Sequence, residues 1–275
     1  MRSIAGNWSL WSKALCAAAL ALAAAGPAHS RKAPAPTESQ VQAREILMRM
    51  AGYLGGAQAY SVSLRSGYDA VQASGQKIEF NETRKITLAR PDKLRVEGER
   101  SDGAKTLTVF NGKEIVLVDA ARNVYATSPQ PGSIDDSVVY FVKDLGMRLP
   151  LGVMLMSRMP AEFEARVKTI DYVEKTSILG APAHHLAARG DGIDFQVWVA
   201  DGDKPVPLRV VITYRKSPGQ PQFWAQFADW NLAPAVNDAM FTAQVPAGAQ
   251  KIAFAAQLPR MKVSARKTAA DKGAR

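Results

Sequence analysis

Cysteine, histidine and long apolar runs are scarce in this chain, and each scarcity excludes a class of chemistry. Cys16 is the sole cysteine among 275 residues. It falls in an N-terminal segment expected to be removed, so the mature chain is expected to hold no disulfide, thiolate nucleophile or cysteine-bound metal. Lys13-Ala14-Leu15 before it lacks the small residues of a lipoprotein-processing site, which argues against lipidation. Histidine is confined to His29, His184 and His185. Neighbouring strand residues point to opposite faces, so the last two cannot grip one metal without a bulge. No stretch reaches the roughly 20 apolar residues a membrane-spanning helix needs. A glycine-rich phosphate loop and a Gly-x-Ser-x-Gly elbow are also missing. Ser74-Gly75-Gln76-Lys77 has nucleophile-like spacing but sits at a hairpin tip, and Asp201-Gly202-Asp203 has too few acidic groups for calcium. The expectation is a protein that is not an enzyme and carries no cofactor, catalytic residue or metal.

The two ends read differently from the middle. Arg2 and Lys13 precede an apolar run at 14–25, Gly26-Pro27 break it, and Ala28-His29-Ser30 supply small residues for a signal peptidase. Residues 1–30 are therefore expected to be a signal peptide cleaved near Ser30, which would place a soluble product in the periplasm. Residues 31–37 form a short Pro-rich linker. The net charge of +10 is concentrated at the C-terminus, where 259–275 carry six cations against Asp271. That tail is expected to be disordered, with attraction to an anionic membrane surface as its binding potential. Export makes nucleic acid a poor candidate partner.

Between these ends the pattern is a helix followed by strands. A helix over about 38–54 has Val41, Ile46, Leu47, Met50 and Leu54 on one face, with Gly55-Gly56 as its stop. Period-two alternation follows. Tyr60, Val62, Leu64, Tyr68 and Ala70 share one strand face, and Ile78, Phe80, Ile86 and Leu88 share the next. Glu82 and Arg84 interrupt that second face, so they need partners if it lines an interior. Asn111-Gly112 is the strongest hairpin signal. Residues 133–160 interrupt the strand pattern. Ser133 caps a helix with Asp136 in its first turn, Ile134, Val138, Phe141 and Leu145 recur at helical spacing, and Gly146 ends it. A second short helix is expected over 151–158, stopping before Pro160. Met147, Met154, Met156 and Met159 fall in this insert, and thioethers adapt to irregular apolar partners. Strands resume from 167. About ten or eleven strands joined by short turns give a mainly β protein, a strongly curved antiparallel meander with helices at its concave face. Trp198, Trp224 and Trp230 are strand aromatics that either pack the sheet or line a cavity.

Arg90-Pro91-Asp92-Lys93-Leu94-Arg95, Phe110-Asn111-Gly112-Lys113, Val118-Asp119 and Tyr125 resemble the corner and hairpin pattern of the bacterial lipoprotein-carrier (LolA/LolB-like) superfamily. Gly180-Ala181-Pro182-Ala183-His184-His185-Leu186, Gln196-Val197-Trp198-Val199, Pro207-Leu208-Arg209 and Asp229-Trp230-Asn231-Leu232 resemble, more closely, a family of predicted periplasmic proteins of unknown function within it. The resemblance implies a LolA/LolB-like domain over 38–258, a half-open sheet around an apolar cavity with a helical lid at 133–160. It also implies that Arg90, preceding the corner proline, helps hold the lid closed, although a corner arginine can equally serve as a structural carbonyl ligand. The implied cavity would be lined by Leu88, Leu94, Val96, Leu107 and Val109, and the lid would contribute Val138, Phe141, Leu145, Met154 and Leu155. The implied partner is the acyl chain of a lipid or lipoprotein. A protein-interaction or envelope-stress sensor module on the same fold is the alternative.

Overall fold

The computed structural model describes residues 35–146 and 148–254. The signal segment with Cys16, most of the linker, Met147 and the basic tail lie outside the described residues.

Helix α1 (Glu38–Gly56) starts at Thr37, whose hydroxyl accepts from the Gln40 amide while the Gln40 side chain accepts from the Thr37 amide. This reciprocal cap satisfies two amides that the first turn leaves without helical partners. Ala43, Ile46, Leu47, Met50, Ala51, Leu54 and Gly55 form the buried stripe. Val41, expected on that stripe, is exposed; it precedes Ile46 by five residues rather than three or four, which turns it off the buried face.

Among the described residues, twelve strands make one sheet. The first six run as a meander: β1 (Ala59–Val71), β2 (Lys77–Ala89), β3 (Lys93–Arg100), β4 (Lys105–Phe110), β5 (Glu114–Asp119) and β6 (Val124–Pro129). A second meander holds β7 (Thr169–Ile178), β8 (Ala181–Arg189), β9 (Ile193–Ala200), β10 (Pro207–Tyr214) and β11 (Gln222–Asn231). Strand β11 pairs antiparallel with β1 and fuses the two. The twelfth, β12 (Gln250–Lys251), lies parallel to β6. Two residues are too few to show a strand period, which is why the sequence yields one strand fewer.

The insert connects β6 to β7, the strands at or next to opposite edges of the sheet. It contains α2 (Ile134–Val139), a π-helical turn over Tyr140–Asp144, α3 (Gly152–Leu155) and α4 (Met159–Arg166). Ser133 and Asp136 form the expected cap. The expected second helix is instead two short ones. Proline is tolerated at the first turn of a helix, so Pro160 lies at the start of α4 rather than marking an end.

Register assigns every strand residue to a face, because directly paired residues point the same way. On one face, Tyr60, Leu88, Leu94, Phe110 and Ile115 join with the helices in one buried core. Glu82 and Arg84, on the same face, answer the expected need for partners: Arg84 Nη2 is 2.6 Å from Glu82 Oε1, which also accepts from the Ser66 hydroxyl. Beyond them the apolar pattern continues onto Tyr68, Ile78 and Phe80, which emerge into solvent with the Tyr68 and Phe80 rings stacked.

The opposite, open face has its own order. Trp224 donates to Glu79, Arg209 sits over both Trp224 and Trp198, and Trp198 stacks on His185 at 4.1 Å. The histidines thus separate as expected: His184 contacts Tyr172 and Asp201, while His185 bonds Gln196. After β11 the chain crosses this face. Arg95 donates to the Met240 carbonyl, and a 3-10 turn at Asp238–Phe241 packs on β3 with Phe241 buried.

Gly67 permits the Trp224 arrangement, since a Cβ there would lie 2.6 Å from the indole nitrogen. Gly67→Ala is therefore expected to displace the ring, break its bond to Glu79 and lower stability by about 1–3 kcal/mol. Urea unfolding followed by tryptophan emission measures both effects.

Candidate functional site

The site is built at the sheet end where both α1 and α3 finish. Three carbonyls from helix C-terminal ends meet there; Leu54 O already accepts from the Ala57 amide at 3.3 Å, whereas Ala57 O and Leu155 O lie at or just past the ends of their helices, where carbonyls lack helical partners. Arg90, at the end of β2, supplies the donors. Its Nε donates to Ala57 O at 3.1 Å, Nη1 to Leu155 O at 2.8 Å and Nη2 to Leu54 O at 3.4 Å. Its side chain is 7% exposed. One guanidinium therefore ties the sheet, the C-terminal end of α1 and α3 together. The rigid fork is suited to carbonyls in several directions, as a lysine ammonium is not.

Two further groups complete this latch. Tyr60, fully buried on β1, donates its hydroxyl to Met154 O at 3.1 Å. Burial raises the phenol above its ordinary range, so it stays protonated as a donor. Asp135, in the first turn of α2, accepts from the Ser157 amide at 2.8 Å and the Ser157 hydroxyl at 2.9 Å, and lies 4.0 Å from Arg90. Burial lowers the Arg90 guanidinium from its ordinary value, and the nearby Tyr60 and Asp135 oppose that shift. The carbonyl and carboxylate oxygens compensate the cation's lost hydration.

The quoted corner and hairpin motifs come together here. The Lys93 ammonium donates to Asn111 O, Ile134 N to Pro91 O, and Gly132 N to Gly112 O. They place the start of α2 on the sheet corner, which aims Asp135 at the latch.

The expected lining residues divide between the two faces. Leu88, Leu94 and Val96 lie on the helix-covered face, and Val138, Met154 and Leu155 are buried against it. Phe141 and Leu145 are partly buried at its margin, Phe141 with its ring 6.3 Å from that of Phe254. Leu107 and Val109 require correction. Val109 pairs with Arg95 and Val116, and Leu107 with Glu97 and Val118, which puts both on the open face. Alternation in β4 misled because Leu107 and Val109 outnumber Phe110, yet Phe110 points to the helices. The crossing segment with Phe241 covers the open face nearby. Side chains of α1 and α3, Met50, Leu54 and Met154 among them, occupy the space over the sheet that was expected to be a half-open cavity.

Sequence reasoning missed Asp135 and the latch role of Tyr60. An acid in a helix's first turn is an ordinary capping feature, and a tyrosine in an apolar stripe reads as core; only the fold shows that each meets the insert. Among the described residues no group of three or more His, Cys, Asp or Glu side chains could hold a metal, and no helix is long and apolar enough to cross a membrane.

An open, curved antiparallel sheet with a helical cover fastened by a buried arginine defines the class of protein. Residues 43–255 match a family described as predicted periplasmic protein (DUF2092), and the chain belongs to that family. Among curated proteins none matches. Solved structures similar to it include an uncharacterized conserved protein from Thermus thermophilus, at 14% identity over 78% of this chain and 99% of that one with a TM-score of 0.46. Lipoprotein LppX of Mycobacterium tuberculosis is similar at 12% identity, 72% and 100% coverage and a TM-score of 0.47. A LolA superfamily protein from Nitrosomonas europaea is similar at 13% identity, 73% and 97% coverage and a TM-score of 0.36.

Gly55 tests the docking of the cover. A Cβ there would stand 2.6 Å from the Ser157 carbonyl oxygen. Alanine in a helix favours folding by about 1 kcal/mol over glycine, yet backbone cannot yield as a side chain can. Gly55→Ala is expected to give net destabilisation of about 1–2 kcal/mol, with faster amide exchange over 150–166 than in the parent protein.

Proposed function

We propose that the protein is a soluble periplasmic carrier or binding protein, with its signal peptide cleaved near Ser30 and residues 38–258 as its working domain, that shelters the acyl chain of a lipid or lipoprotein between its sheet and helical cover. The observation that carries the reading is the Arg90 latch: a buried cation on the sheet holds the carbonyl end of α3, so the cover is attached by polar groups at one end. Releasing it would expose the apolar face around Leu88, Leu94 and Val96, where an acyl chain would replace the Met154 and Leu155 side chains. Burial of about 0.8 kcal/mol per methylene makes one long chain sufficient for useful affinity. Methionines suit a cover that repacks against either a chain or the bare sheet. The basic tail would add contact with anionic membrane at low salt.

Protein purified from the periplasm and examined by native mass spectrometry is expected to carry lipid of one or a few masses. A dry protein under the same conditions would favour a partner-binding module and count against the carrier. The latch is tested separately. Arg90→Leu removes the donor to the Ala57 and Leu155 carbonyls and is expected to change the rate at which a fluorescent fatty acid moves to acceptor vesicles by about tenfold or more, corresponding to the 1.5–3 kcal/mol of a charge-assisted hydrogen bond. Normal transfer with lowered stability would make Arg90 a corner residue only. Met154→Asp and Phe141→Asp are expected to weaken fatty-acid uptake while preserving the circular dichroism of a β protein; unchanged uptake in both would exclude the cover from the binding site.

A further inference from the structure

The open face contains a cleft of about 1000 Å³, separate from the Arg90 latch. The turn between β7 and β8 lines it together with the end of β5, although seven strands intervene between β5 and β8. Sheet twist brings these distant corners to one place.

Two observations point to an occupant. The first is electrostatic. Ser63 pairs with Lys85, and Arg65 with Thr83, across β1 and β2, so two cations and two hydroxyls form one block on the cleft floor. Neighbouring cations are engaged: Arg95 bonds Glu97 at 2.8 Å, and Lys105 lies 3.7 Å from Glu99. Among the described residues Arg65 and Lys85 have no side-chain hydrogen-bond or ion-pair partner, and this leaves a local excess of positive charge.

The second is steric. Leu179 has φ +49° and Gly180 +83°, the two positive values of a tight hairpin turn. Asparagine or glycine takes the first position with little strain, whereas the leucine Cβ is crowded against the backbone there. Nothing in the chain recovers that cost by burial, because Leu179 is 85% exposed at the cleft rim. Leu107 and Val118 continue an apolar wall along the cleft.

We propose that this cleft binds a single-chain anionic amphiphile, with its head group at Arg65 and Lys85 and its apolar chain against Leu107, Val118 and Leu179. A small number of placed polar groups within apolar walls is the usual composition of a ligand site of this size. The site lies on the other face from the helical cover and is independent of acyl binding beneath it.

The test is titration of the purified full chain with dodecyl phosphate below its micelle concentration, followed by calorimetry and by emission of Trp224, which also lines the cleft. Arg65→Gln/Lys85→Gln is expected to bind at least about tenfold more weakly with an unchanged melting temperature, since both side chains are exposed and unpartnered. Leu179→Asn is expected to bind severalfold more weakly while melting about 2–4 °C higher, because it relieves the turn. Inorganic phosphate and the neutral amphiphile dodecyl maltoside are each expected to bind far more weakly than dodecyl phosphate. Parent-like affinity in the double variant and in Leu179→Asn would overturn the proposal. So would equal binding of inorganic phosphate, which removes the apolar chain from recognition, or equal binding of the maltoside, which removes the charge. Loss of binding in Met154→Asp with retention in the double variant would place the amphiphile beneath the helices instead and overturn this site without touching the carrier reading.

Discussion

The twist of a twelve-stranded sheet is the constraint on which the other features depend. Antiparallel strands rotate by roughly 20–25° from one to the next, so a sheet this wide cannot present a flat surface to anything. Its corners bend alternately toward its two faces. At one pair of corners α1 and α4 pack near β7 while α2 docks beside Pro91 and Asn111. At another, the β7–β8 turn and the end of β5 border the open-face cleft. A single geometrical property thus supplies one face with a helical cover and the other with a lined depression.

Given that shape, Arg90 solves a problem created by ending helices inside the protein. The carbonyls of Leu54, Ala57 and Leu155 converge where water is largely excluded; Leu54 O also accepts from the Ala57 amide, but Ala57 O and Leu155 O would each cost about 1–3 kcal/mol if unpaired. An aliphatic residue at this corner would fill space but leave those oxygens unmet. A lysine would offer donors from one atom, while the guanidinium fork reaches all three from one plane. Tyr60 and Asp135 extend the same logic to Met154 O and the Ser157 amide. The chemistry is structural in form, and what gives it functional interest is that Arg90 and Tyr60 join the sheet to α3, while Asp135 joins α2 to the residues just after α3.

Much of the fold was legible because its signals are local. The α1 stripe, the Ser133 cap, the pairing demand of Glu82 and Arg84 and the opposite directions of His184 and His185 follow from periodicities of 3.6 and 2. Arg90 was legible for a different reason: resemblance marked the position, and the proline after it marked a strand end. What escaped depends on contacts between distant segments. Leu107 and Val109 read as interior because alternation states that two faces differ, but not which one the helices cover. The segment after β11 buries the open face locally, with Phe241 2% exposed, so apolar residues occur on both sides of β4 and β5 and the inside-outside contrast disappears. Pro160 reads as a stop because proline marks a boundary in sequence without saying on which side of it the helix lies.

The helices of the insert differ from α1 in a way that bears on motion. The described segments have six, five, four and eight residues, whereas isolated helices shorter than about 12–15 residues are marginal in water. Helix α1, with 19 residues and a reciprocal cap, has more order of its own. The insert's helices owe theirs to the sheet beneath them and to Arg90, Tyr60 and Asp135. Docking and helix formation in the insert are therefore coupled: weakening the latch does not swing a rigid flap but loosens the secondary structure of the flap itself. The entropy released by such loosening would offset part of the lost packing, so undocking the insert would cost less than its buried area suggests. That difference in self-sufficiency separates α1, which carries much of its own order, from insert helices that depend on the sheet for theirs.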